Sequence, residues 1–125
     1  MDWSKYVPYF KKEEFTCKHT GENEMKPEFM DKLLAIRKRY GKPMWVTSGY
    51  RSPKHPIEAS KKASGAHATG RACDIGIQGS EALELLKIAL EEGMTGIGVQ
   101  QKGAGRFLHL DDVTQGLPRP NIWSY

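Results

Sequence analysis

The chain has 125 residues, a formal net charge of +4, 38% hydrophobic and 27% charged residues, which is the size and balance of one globular domain with a core of its own. No apolar run approaches the ~20 residues that a membrane span needs, so no membrane partner is expected. The first residues, Met1-Asp2-Trp3-Ser4-Lys5, lack the basic start and apolar stretch of a secretory signal, and synthesis in the cytoplasm is expected.

The elements follow in chain order. The first 25 residues mix aromatics (Trp3, Tyr6, Tyr9, Phe10, Phe15) with charge and read as short turns laid over a core. A helix is predicted from Pro27 to Tyr40, with Pro at its first position and Gly41 just past its end. Its apolar stripe is Phe29 or Met30, Leu33, Leu34, Ile36 or Arg37, and Tyr40. Met44 to Ser48 reads as a strand. The stretch from Arg51 to Gly70 contains Gly, Pro, Ser and Lys, and loops of such length are usually functional or disordered.

A second strand, Ala72 to Ile77, alternates Cys73, Ile75 and Ile77 with Ala72, Asp74 and Gly76. A second helix runs from Glu81 to Glu92, capped by Ser80 and ended by Gly93, with Ala82, Leu85, Leu86, Ala89 and Leu90 as its stripe. Thr95 to Gln100 and Arg106 to Asp111 form a hairpin across Lys102-Gly103-Ala104-Gly105. In the last strand Leu108 and Leu110 face one way, and Phe107, His109 and Asp111 the other. The order implies a single α+β domain over residues 1–125: a mostly antiparallel sheet of about four strands with helices on one face.

Polar residues in these strands carry the chemistry. Asp74 and His109 each lie opposite an aliphatic row, and a carboxylate in a half-buried strand is costly unless paired or metal-bound. His67 lies in the turn-rich Ser64-Gly65-Ala66-His67-Ala68-Thr69-Gly70 and can fold back over Asp74. Two histidines and a carboxylate form a three-ligand set that leaves a fourth position on zinc for water. Each residue alone is more often structural. The basic residues are scattered, with no basic stripe and no nucleic-acid-binding signature, so no nucleic-acid partner is expected. Cys17 and Cys73 read as free thiols; Cys17-Lys18-His19 could be a fragment of a metal site, but such a pair alone is a weak signal and a structural role is preferred, and Cys73 reads as core.

The strings Ser48-Gly49-Tyr50-Arg51-Ser52-Pro53, His67-Ala68-Thr69-Gly70-Arg71-Ala72-Cys73-Asp74-Ile75 and Phe107-Leu108-His109-Leu110-Asp111, closing on Trp123-Ser124-Tyr125, together resemble the zinc D-alanyl-D-alanine carboxypeptidase family. That family includes peptidoglycan-trimming carboxypeptidases and phage endolysin endopeptidases. The resemblance covers about Phe15 to Tyr125. It implies a Hedgehog/DD-peptidase-like fold, one zinc ion held by His67, Asp74 and His109, and hydrolysis of an amide bond in the peptide stem of peptidoglycan by a monomer, with a phage-encoded lysin reaching the bacterial cell wall as the expected setting. Arg51, with Tyr50 and Ser64, would handle the substrate, the arginine through its planar fork.

Two positions depart from the family pattern. Gly65 stands where relatives have a serine, with Ser64 one place earlier, and Arg106 stands where many relatives have an acidic general base. Phe107 occupies the place of a histidine in others. Asp111 is the first candidate for the base, and orienting His109 is an equally good role for it; Asp112, His55 and Glu58 follow. Trp123 reads as packing against the sheet, and Tyr125 as either packing or a cleft wall. The alternative to an enzyme is a catalytically inactive, zinc-stabilised module that binds cell wall.

Overall fold

The computed structural model describes residues 1–59 and 65–125. Among these residues three α-helices, α1 (Pro27–Tyr40), α2 (Pro56–Ala59) and α3 (Gly79–Glu91), accompany five strands: β1 (Trp45–Ser48), β2 (Ala72–Gly76), β3 (Gly96–Gln100), β4 (Phe107–Asp111) and β5 (Asn121–Ser124). The sheet order is β1-β2-β4-β3-β5, antiparallel except for the parallel β3–β5 pair. The α+β expectation therefore holds, with one strand more than the four read from the sequence. Asn121–Ser124 follows a proline-flanked loop, and the strand exists through its long-range pairing with β3.

Strand alternation sorts the sheet into two faces. Val46, Cys73, Ile75, Leu108, Leu110 and Ile97 are buried in one core cluster with Phe29, Met30, Leu33 and Ile36 of α1 and Leu85, Ile88 and Ala89 of α3. Tyr6, Phe10 and Phe15, from the turn-rich first segment, close the same core. α1 has the predicted boundaries and ends on Gly41 in the left-handed region. α3 starts two residues before the expected Glu81, since Gln78 and not Ser80 holds the capping position. Its buried side is Ala82, Leu85, Ile88 and Ala89, while Leu90 is exposed. Choosing Ile88 over Leu90 turns the stripe by part of a turn and lets α3 meet the sheet as well as α1.

α1 and α3 both pack on that core face, and the opposite face is left to the polar residues. Asp74 and Gly76 of β2, Phe107, His109 and Asp111 of β4, Gly96 and Gly98 of β3, and Trp123 of β5 stand there in register. Both cysteines are buried free thiols. Among the described residues no helix is long and apolar enough to cross a membrane.

Candidate metal centre

Asp74 and His109 are directly opposed on neighbouring antiparallel strands, so their side chains rise from the sheet side by side. His67 arrives from the other direction. It sits in a single turn of 3-10 helix, Ala66–Thr69, which ends on Gly70 in the left-handed region. A side chain on Gly70 would run into the Glu24 carbonyl, so the turn after His67 needs a glycine on both counts.

The three residues converge on one point. His109 Nδ1 lies 3.2 Å from His67 Nε2 and 3.1 Å from Asp74 Oδ1, and His67 Nε2 lies 3.2 Å from Asp74 Oδ1. The outer nitrogens fix the tautomers. His67 Nδ1 is 2.8 Å from the Gly49 carbonyl oxygen, which can only accept. His109 Nε2 is 2.6 Å from Asp111 Oδ2. Each outer nitrogen therefore donates its proton outward, leaving the inner nitrogens with lone pairs aimed at a carboxylate oxygen and at each other. Such an arrangement is complete only around a cation. Donors about 2.0–2.1 Å from a tetrahedral zinc stand about 3.3–3.4 Å apart, and this triangle is within a few tenths of an ångström of that. Among the described residues this is the one group of His, Cys, Asp and Glu side chains arranged to hold a metal; Cys17 and His19 take no part.

Electrostatics agree with the geometry. Burial opposes charge on Asp74, but the histidines beside it, His109 first and then His67, hold its carboxyl well below the usual range. Burial likewise opposes charge on His109, yet Asp111 and Asp74 raise its pKa. The pocket thus draws positive charge to its centre.

Asp111 is fully buried. Besides His109 it accepts two bonds from Arg119, Nε to Oδ1 at 2.9 Å and Nη2 to Oδ2 at 2.8 Å, and one from the Val113 amide at 3.3 Å. Burial works against its ionisation, but Arg119 and His109 hold its pKa down to about 2. Its carboxylate meets the ring nitrogen that faces away from the ligand triangle. Of the two roles open to Asp111 in the sequence, the arrangement matches the orienting one.

A cleft of about 490 Å³ opens above the triangle, lined among others by Arg51, Phe107, Asn121, Trp123 and Tyr125. Its volume is typical of small-ligand sites. The Trp123 ring packs on the His109 ring at 5.1 Å between centroids, and the Arg119 guanidinium lies 4.8 Å over Trp123. Trp123 is thus packing and cleft wall at once. Tyr125 brings its hydroxyl to the cleft, where burial raises its pKa against a hydrogen bond from Trp123.

Arg51 lines the cleft, with Nη1 3.8 Å from the buried Glu58 carboxylate behind it. Tyr50, expected at the substrate, is buried in the hydrophobic core and does not line the cleft. Its amide bonds to the Phe15 carbonyl, and Gly49 lies so close to Phe15 that the chain here packs inward. Ser64 lies outside the described residues. Asp112 is turned away, held by Arg71 at 2.8 and 2.9 Å and by Lys32 at 2.9 Å. His55 stands beside His19, away from the triangle. Arg106 lies beyond Phe107 and does not line the cleft. Asp74 bears the one side-chain carboxylate among the described residues that line it.

Sequence reasoning did not find Arg119 or Asn121. One signal was present: the alternate glycines of β3. A side chain at Gly96 would collide with Asp111 and Arg119, and one at Gly98 would meet Trp123, Tyr125 and His109. These positions stay bare because side chains from β4 and β5 cross over them.

No curated protein matches the chain. The model of a family described as Peptidase M15 matches residues 8–111.

Proposed function

We propose that this chain, which belongs to the Peptidase M15 family of zinc D-Ala-D-Ala carboxypeptidase-type enzymes, hydrolyses an amide bond in the peptide stem of bacterial peptidoglycan. The observation that carries the reading is the triangle of His67, Asp74 and His109, with both histidine tautomers fixed from outside and the fourth side open to the cleft.

A bound zinc ion supplies there a Lewis acid for the scissile carbonyl and an acidified water. The protein's own groups do the rest. Asp111 and Arg119 hold His109 in the orientation that presents Nδ1, and Gly49 does the same for His67 Nε2. Arg51, backed by Glu58, offers a guanidinium fork to a substrate carboxylate or carbonyl. The Tyr125 hydroxyl keeps its proton at neutral pH and faces the cleft as a hydrogen-bond donor for the developing charge. Trp123 shields one side of His109 from water.

A second reading has one observation in its favour: Asp74, a ligand, bears the one side-chain carboxylate among the described residues that line the cleft. On that reading the protein binds cell wall and cleaves nothing. The test is release of new amino groups from purified peptidoglycan, with and without a chelator, followed by zinc add-back. Chelator-sensitive release restored by zinc is the expected result, and the freed amine names the bond. Binding to walls of several chemotypes without release would establish the binding module.

A further inference from the structure

Phe107 lines two depressions on the bare face of the sheet. One is the metal cleft, and the other, about 590 Å³, is bounded by Trp45, Thr47, Gly76, Gln78 and Arg106 together with Phe107 itself. The two adjoin across Phe107. Register explains the shape of the second. Trp45 stands opposite Gly76, and Gly76 opposite Phe107. A glycine thus lies between two aromatic side chains, leaving a slot with a bare floor. The next row along the same strands holds Asp74 and His109. Two residues along a strand is about 6.8 Å, and an extended peptide advances ~3.3–3.6 Å per residue. A peptide running along β2 and β4 from the metal centre sets its second residue over Gly76.

The slot's chemistry is selective. Trp45 is 77% exposed, a large apolar surface that the fold leaves unused. Arg106 is exposed, donates from Nε to the Gly103 carbonyl at 2.9 Å, and has no carboxylate partner among the described residues. Among the described residues no acidic one bounds the slot. Arg119, by contrast, is engaged by Asp111.

We propose that the slot is a second substrate subsite that takes an acidic peptide residue, two positions from the scissile bond. Arg106 pairs with the free carboxylate of that residue, and Trp45 and Phe107 flank its aliphatic part over Gly76. The proposal rests on the peptidase reading and gives Arg106 a role at a distance from the metal.

The test uses the full zinc-loaded protein and a matched pair of synthetic stem peptides, the carboxylate of the second residue free in one and amidated in the other. Cleavage and calorimetric binding are both measured. The wild type is expected to prefer the free carboxylate by about tenfold or more in KM, and Arg106→Gln to reduce that preference to less than twofold. Gly76→Leu fills the slot. The backbone there is ordinary, and a Cβ would meet only contacts of 3.4 Å or more, so the variant is expected to fold; its KM for both peptides rises. Binding that depends on Arg106 without cleavage supports the subsite and removes the peptidase reading. Cleavage with equal preference in wild type and Arg106→Gln overturns the subsite alone. A wild type that neither binds nor cleaves either peptide overturns both.

Discussion

His109 and Asp111, two residues apart on β4, meet at 2.6 Å through His109 Nε2, the nitrogen that points away from Asp74 and His67. The contact is possible because alternate residues of a strand share a face. It divides the work between them: one ring nitrogen faces the metal position, and the other is held by a buried carboxylate.

Replacing Asp111 with Asn keeps the shape but removes the charge. Asp111→Asn is expected to weaken zinc affinity by about 10–100-fold, measured by competition with a chromophoric chelator, with the fold retained. Unchanged zinc affinity and a large fall in kcat at saturating zinc would instead make Asp111 a proton-transfer group.

Gly98→Ala is expected to disturb the site more than the fold. The new methyl would meet Trp123, Tyr125 and His109, and overpacking of this kind costs about 1–3 kcal/mol. Zinc affinity and the near-ultraviolet circular dichroism of Trp123 should change together. An unaltered tryptophan signal with normal affinity would show that β5 is not seated against β3 as described.

Asp112 is Asp111's neighbour with a different task. It joins Arg71 and Lys32 behind the sheet, so Asp112→Ala is expected to lower stability by about 1–3 kcal/mol in urea titrations. The cost is moderated because both cations are partly exposed. Zinc affinity of the folded variant should stay within about threefold of wild type; a larger loss would tie Asp112 to the centre.

Stability should fall at alkaline pH through Tyr6. Burial, followed by its hydrogen bond to Asp31 at 2.8 Å, pushes its pKa well above the ordinary value of 10.0. The unfolded chain releases this proton near pH 10 while the folded chain keeps it. The contribution is therefore full below about pH 10 and is lost as pH rises towards the folded value. Melting temperatures recorded from pH 8 to 11 should decline, and less steeply in Tyr6→Phe. Equal slopes would exclude the tyrosine as the cause.

Periodicity made much of this legible. Alternation in Ala72–Gly76 and Phe107–Asp111 put Asp74 and His109 on the bare face before any coordinates, and the loop position of His67 left it free to reach them. The boundaries of α1 followed from Pro27 and Gly41. What stayed hidden was non-local. β5 is short, mostly exposed and defined by its partner β3, and Arg119 reaches Asp111 from a proline-flanked loop with no periodicity to read. The burial of Tyr50 was equally hidden, since it follows from the approach of Gly49 to Phe15 across the fold.

The two strands bearing Asp74 and His109 each have a strand on both sides. Backbone amides in such interior strands exchange with solvent chiefly when the whole domain opens. The ligand positions thus share the slowest-opening part of the sheet, above a core built from apolar side chains. Zinc is therefore expected to come to a scaffold already assembled. Stripping it should empty the centre while leaving the amides of β2 and β4 among the last to take up deuterium.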